Sequence, residues 1–273
     1  MTFAIIGNDA RLVKLSSMLD HDKVRQFGIP SGTATLKEAV RHADVIVCPI
    51  PLVRNGVLNI NDEAIPIEAL LAAMSPGQTL FAGMISHDVS TKMQESGVTV
   101  IDYADNEALQ IKNAIPSAEA AIELALSYMT ITLHNSRSLV IGHGRIGKIL
   151  ARLLTAFGSH VDVSARKPGD MAWITANGNR ALQTDSLNAT LAEYDVIFNT
   201  VPHRVLDKEA IALLKPSCVV LDLASEPGGV DMDIARKRGI QCEWALGLPG
   251  KHAPDTAALN LRDMVYSTLS EGL

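Results

Sequence analysis

Short apolar runs recur along this chain, and each is followed by a stretch in which apolar positions return every three or four residues. In the first part the runs are TFAIIG, DVIVCP, QTLFAG and VTVID, with ARLVKLSSMLD and STKMQESG between them. The first pattern predicts strands and the second amphipathic helices. Strands that are apolar at nearly every position are covered on both faces, so the alternation predicts a parallel sheet flanked by helices. A long helical pattern follows in AIPSAEAAIELALSYMTITLHN, where Ile122, Leu126, Met129 and Leu133 share one face. Then the rhythm restarts. SLVIG, HVDVSA, DVIFNTVP, SCVVLDLA and IQCEWAL predict further strands, separated by helices through Leu154 and near Trp173, Ala212 and Ala235. PDTAALNLRDMVYSTLSEGL predicts a terminal helix.

Two α/β series in 273 residues imply two domains. The expected fold class is α/β, with two doubly wound domains joined by long helices. A flavodoxin-like substrate domain is expected at 1–116 and a Rossmann dinucleotide-binding domain at 117–252. The helix at 253–273 is expected to return to the first domain. Pro116 is expected to stop one helix, and Ser117 to cap the next by accepting from free N–H groups.

Composition removes several classes of function. With 47% hydrophobic and 20% charged residues the chain reads as a soluble globular protein. Aromatic residues make up 4% and the net charge is -6, so nucleic acid is not an expected partner. The longest apolar stretch, 114–133, is broken by Pro116, Glu119 and Glu123, so no membrane span is expected. MTFAIIGNDARLVKL has no basic region ahead of its apolar residues and reads as a strand rather than a signal peptide. Cys48, Cys218 and Cys242 lie far apart, with neither metal spacing nor a disulfide framework, which fits a reducing cytoplasm and no metal site.

The most specific local pattern is GHGRIG, residues 142–147, between a predicted strand and a predicted helix. G-x-G-x-x-G in that setting marks a dinucleotide site. Gly142 permits the tight turn, Gly144 lets a pyrophosphate approach the backbone, and Gly147 lets helix and strand pack closely. His143, Arg145 and Ile146 complete the loop, and the helix start offers N–H groups to the phosphates. The next strand ends in Ser164, Ala165, Arg166 and Lys167, where an NAD site would usually place an acid for the ribose. Arg166 can instead grip a 2′-phosphate with paired donors, so NADP is the expected cofactor. Asp162 lies earlier, and strand alternation points it elsewhere. The bland alternative is that Arg166 and Lys167 are ordinary surface charges. Thr200, Val201 and Pro202, with Ala224 and Ser225, end two later strands and are candidates for the nicotinamide pocket; GLPGK at 247–251 ends the last strand.

If the second domain holds the cofactor, the first should hold the substrate. GNDAR places Asn8, Asp9 and Arg11 after the first strand, and CPIP ends at Pro51. Asn113, Ser117 and Glu119 are expected at the start of the crossing helix. Arg11 is a candidate to bind a substrate carboxylate because its planar fork matches one; the alternative is a solvated helix charge. His203 and His252 are the histidines nearest the expected cleft, either as proton-transfer groups or as surface residues. No residue in the sequence singles itself out as the catalytic acid or base.

GNDAR, NAIPSAEAAI, GHGRIG, VSAR, NTVP, DLASEPGGVD and GLPGKHAPDTAA, in that order and spacing, resemble the family of the dipicolinate synthase A subunit over most of the chain. The resemblance implies the two-domain architecture, NADP as cofactor, and formation of pyridine-2,6-dicarboxylate from 4-hydroxytetrahydrodipicolinate or dihydrodipicolinate. It also implies a small dicarboxylate substrate drawn from lysine biosynthesis, a role in sporulation, and a second, flavoprotein-like component, the dipicolinate synthase B subunit. A homo-oligomer is also expected. A diacid requires cationic or N–H donors, which Arg11 and the start of the crossing helix would supply. Glu226 departs from the family pattern, which is often basic there. Two other readings compete: another two-domain NAD(P)-dependent dehydrogenase, of 2-hydroxyacid, methylenetetrahydrofolate or shikimate type, and a non-catalytic NADP-sensing subunit.

Overall fold

The computed structural model describes residues 1–19, 23–28, 34–60 and 64–272. The chain divides into two units, one formed by Met1–Asn113 with Gly250–Leu273 and the other by Ala114–Pro249.

The first unit contains β1 (Thr2–Ile6), α1 (Ala10–Ser17), β2 (Lys23–Phe27), α2 (Leu36–Val40) and β3 (Val45–Val47). A short antiparallel pair, β4 (Val53–Arg54) and β5 (Val57–Leu58), precedes α3 (Ile67–Ala73), β6 (Thr79–Ala82), α4 (His87–Glu95) and β7 (Thr99–Asp102). The sheet is parallel throughout, in the order β2-β1-β3-β6-β7. With the small pair set aside this is the flavodoxin-like doubly wound order. Strand alternation divides its core into two layers. Phe3, Ile5, Val45, Val47 and Phe81 face one layer, while Ala4, Ile6, Ile46, Leu80 and Ala82 face the other. This is why the strands read as unbroken apolar runs.

Helix α5 (Glu107–Tyr128) passes from the first unit into the second. Pro116 lies inside it, so this proline does not stop a helix and Ser117 does not cap one. The helix begins near Asn106, whose Oδ1 accepts the Leu109 N–H at 2.9 Å. A proline in a helix interior costs about 3 kcal/mol through its missing N–H and its ring. Burial of Ala118, Ala121, Ile122 and Ala125 along the same helix offsets that cost.

The second unit contains β8 (Arg137–Ile141), α6 (Arg145–Ala156), β9 (His160–Ala165), α7 (Pro168–Ala176) and β10 (Arg180–Gln183). It continues through β11 (Val196–Asn199), α8 (Lys208–Ala212), β12 (Val219–Asp222), α9 (Met232–Lys237) and β13 (Gln241–Trp244), and α10 (Leu248–His252) carries the chain back into the first unit. Its parallel sheet runs β10-β9-β8-β11-β12-β13, the Rossmann order. Val140, Phe198 and Leu221 face one core layer, and Leu139, Ile141, Ile197 and Val220 the other.

The last helix, α11 (Pro254–Ser270), belongs to the first unit. Its Ala258, Leu261, Met264 and Val265 pack with Phe3, Ile5, Leu12 and Leu15 of β1 and α1. Each of its three larger buried side chains contributes about 1.5–3 kcal/mol. Among the described residues, no helix is long and apolar enough to cross a membrane.

Candidate functional site

In the second unit the strand order reverses between β8 and β11, and ligands of such sheets lie at the carboxyl ends of strands at that point. There the chain turns from β8 into α6 through the glycine loop. Gly142 has φ +101, and a Cβ on it would stand 2.4 Å from Thr200 Oγ1 and 2.9 Å from Val201 Cγ2. Its N–H donates to the Ser164 carbonyl at 3.0 Å. A Cβ on Gly147 would meet the Gly142 carbonyl oxygen at 2.1 Å, so any larger residue would push α6 off the loop. Gly144 differs: a Cβ there meets no atom within 4 Å. It is the N-cap of α6, has no side chain to cap the helix, and leaves open space over the helix start. A pyrophosphate fits this combination of one tight turn, one close helix contact and one open glycine.

The loop is braced from β11. Thr200 donates through its backbone N–H and its Oγ1 to the Ile141 carbonyl, both at 2.9 Å. The structure therefore brings Thr200 and Val201 against the glycine loop, while Pro202 lies exposed beyond them.

At the end of β9, Ser164 and Ala165 are buried, and Ser164 Oγ accepts from Thr184 Oγ1 at 3.3 Å. Arg166 and Lys167 are exposed, with no ion pair or hydrogen bond to the described residues. Asp162, the one acid on the strand, is buried and engaged. It accepts from the Tyr194 hydroxyl at 2.6 Å and stands 3.4 Å from Arg180 Nη1. It acts within the sheet, and the strand's end carries cations alone. The His143 side chain is only 5% exposed, 3.7 Å from Asp170 of α7.

The ends of β11 and β12 are held by a network that the sequence analysis does not single out. Asp222 accepts at Oδ1 from Asn199 Nδ2 and the Ala224 N–H, and at Oδ2 from the N–H groups of Gly229 and Val230. Trp244 Nε1 donates to the Ala224 carbonyl at 2.8 Å. Ala224 is thus buried and fixed, with Ser225 and Glu226 exposed beside it. The polar residue ending each apolar run, in VIFN and VVLD, is the available sign.

In the first unit the order reverses between β1 and β3. Asp9 is the N-cap of α1, accepting the Leu12 N–H at 3.0 Å, and its other oxygen accepts from Arg11 Nη2 at 3.0 Å. The Arg11 side chain is 12% exposed, and its Nε has no hydrogen-bond partner among the described residues. Burial works against this charge, but Tyr103 and Asp9 outweigh it and raise the guanidinium pKa above its ordinary value. Tyr103 is buried with its hydroxyl donating to the Cys48 carbonyl at 2.9 Å, and burial pushes its own pKa up. Arg11 is therefore not a solvated helix charge; it is a largely buried cation held by Asp9 with donors to spare.

Asn113, Ser117 and Glu119 do not stand at a helix start. They lie within α5, Ser117 buried and Glu119 exposed, so the N–H groups around Ser117 sit in a helix interior, not at a free end. The start of the crossing helix cannot offer donors there. His203 and His252 are exposed. Among the described residues no cluster of three or more His, Cys, Asp or Glu is arranged to hold a metal.

Two family models match successive parts of the chain. Residues 2–104 match the N-terminal domain of the dipicolinate synthase A subunit. Residues 108–227 match the NAD binding domain of D-isomer specific 2-hydroxyacid dehydrogenases. The dipicolinate synthase A subunit of Bacillus subtilis (strain 168) is 29% identical, over 99% of this chain and 96% of the relative. The crystal structure of the corresponding protein from Bacillus halodurans superposes with a TM-score of 0.86 at 28% identity, covering 98% of this chain and 97% of the other. The dipicolinate synthase A chain from Bacillus subtilis gives the same TM-score and identity, over 99% and 96%.

Proposed function

The chain belongs to the family of the dipicolinate synthase A subunit, and on that footing we propose that it is an NADP-dependent oxidoreductase forming pyridine-2,6-dicarboxylate. Its substrate in this reading is 4-hydroxytetrahydrodipicolinate or dihydrodipicolinate. The dehydrogenase-type domain at 108–227 makes it a nicotinamide dinucleotide oxidoreductase in class. The choice of NADP rests on one observation: Asp162 is engaged inside the sheet, while Arg166 and Lys167 are free at the strand's end. A carboxylate at that end would repel a 2′-phosphate, and a guanidinium pairs with it.

The residues divide the work. Gly142, Gly144 and Gly147 admit the pyrophosphate to the start of α6, and Thr200 and Val201 brace that loop. Arg11, held by Asp9, meets one carboxylate of the diacid with its unengaged donors. Bound NADP+ supplies an acceptor for a hydride from the partly reduced ring. With loss of water from the hydroxylated precursor, the ring becomes aromatic. The relatives are named as one lettered component of a synthase, which supports work with a second component, here a flavoprotein-like B subunit.

The test is absorbance at the reduced-nicotinamide band with NADP+ and hydroxytetrahydrodipicolinate, with and without that second component. Growth of the band supports the reading. NADP+ that binds without turnover in both mixtures would make the chain a sensor and overturn it.

A further inference from the structure

His143 lies in the glycine loop with its side chain 5% exposed, yet its Nδ1 has no hydrogen-bond partner among the described residues. Asp170 Oδ1, from the first turn of α7, stands 3.7 Å away, beyond hydrogen-bond length. A buried polar atom in this state calls for a ligand. While Nδ1 carries no proton, it and the carboxylate oxygen are both acceptors and cannot bond each other.

The charged groups on the surrounding segments are Arg145 and Lys148 of α6, Asp170 of α7, and Arg166 and Lys167 just before α7. Burial, then Lys148, holds the imidazole below its ordinary pKa, against the pull of Asp170. The ring is therefore neutral at about pH 7.5. A second anion nearby would reverse that balance, because a negative charge within a few ångströms favours the protonated ring. The segment that leads into the helix carrying Asp170 is the one that bears Arg166 and Lys167.

We infer that His143 binds the 2′-phosphate of NADP(H) and takes up a proton from solvent as it does so, bridging the phosphate to Asp170. Once protonated, both ring nitrogens donate: Nδ1 to the Asp170 carboxylate and Nε2 to a phosphate oxygen. NAD(H), which lacks that phosphate, leaves the ring neutral. This role rests on the NADP(H) reading above and adds a second selectivity element to Arg166.

Calorimetric titration of the whole chain in buffers of different ionisation enthalpy measures the proton directly. At about pH 7.5 the ligand phosphate is already mostly dianionic, since its second pKa is about 6, so its own titration contributes little. NADP+ binding should take up a large part of one proton, and NAD+ binding none. His143→Gln should remove the uptake and weaken NADP+ about tenfold more than NAD+, as loss of one charge-assisted bond does. Asp170→Asn should reduce the uptake. The wild-type measurement decides the matter even if a variant folds poorly. Preference for NADP+ without proton uptake overturns the role of His143 and leaves the cofactor reading standing. Equal binding of NADP+ and NAD+ overturns both.

Discussion

Asn199 and Asp222 join the carboxyl ends of the neighbouring strands β11 and β12 through a buried 2.7 Å hydrogen bond. The same carboxylate collects three backbone N–H groups from residues 224, 229 and 230. One side chain therefore fixes the loop that carries Ala224 and Ser225, and through Asn199 it also fixes the turn that carries Thr200 and Val201. Two strand ends are set relative to each other before any ligand arrives.

Replacing Asp222 with Ala leaves four buried donors without their acceptor. An unmatched buried donor costs about 1–3 kcal/mol, so the variant should lose more than about 3 kcal/mol of stability in the second unit. Asp222→Asn should also destabilise, because its amide can turn N–H toward N–H. Both tryptophans, Trp173 and Trp244, lie in that unit, so their fluorescence during denaturation reports it. Wild-type unfolding midpoints would show that the network is idle.

The glycines of the loop should separate folding from binding. A side chain on Gly144 meets no protein atom, whereas one on Gly147 meets the Gly142 carbonyl. Gly144→Val should keep the melting temperature within a few degrees and lose cofactor binding. Gly147→Val should lower the melting temperature itself. Normal NADP(H) titration of folded Gly144→Val would reduce the loop to a turn.

Arg166→Ala should weaken NADP(H) by about 1.5–3 kcal/mol, the worth of a hydrogen bond to a charged group, and NAD(H) far less. Equal losses for both cofactors in a fluorescence titration would remove this residue from the phosphate site.

Arg11→Ala should raise the KM for the diacid or lower turnover, with NADP+ affinity nearly unchanged. Arg11→Lys should recover only part, since an ammonium cannot reproduce the paired geometry of the guanidinium. Steady-state kinetics with substrate and cofactor varied separately would check both. Wild-type constants in Arg11→Ala would mean that the carboxylates are held elsewhere.

Most of the sheet architecture can be read from the chain because central strands are covered on both faces and so are apolar at most positions, as in β1, β3, β8, β11 and β12. The two strands of the parallel sheets that the pattern misses, KVRQF of β2 and RALQ of β10, are edges of those sheets, where polar side chains meet solvent and the signal fades. The β4–β5 pair does carry a sign. Asn55 and Gly56 both have positive φ, as the tightest hairpin turn demands, and Asn-Gly is the dipeptide that supplies it. The start of α5 is misplaced in the sequence reading because Pro116 reads locally as a breaker, while the packing that carries the helix through it comes from distant residues. The glycine loop is legible because its chemistry is contiguous. The burial of Arg11 and the Asn199–Asp222 bond depend on residues brought together across a sheet, which spacing alone does not encode.

Because α11 completes a core begun by Phe3 and Ile5, the first unit is the last to be finished during synthesis. Its opening strands leave the ribosome well before the helix that covers one of their faces, and the whole of Ala114–Pro249 must be made in the interval. The second unit, contiguous in sequence, can fold while the first still waits with apolar surface uncovered. Translation that halts between residues 249 and 254 would therefore release a chain with a nearly complete Rossmann unit and an open, aggregation-prone partner.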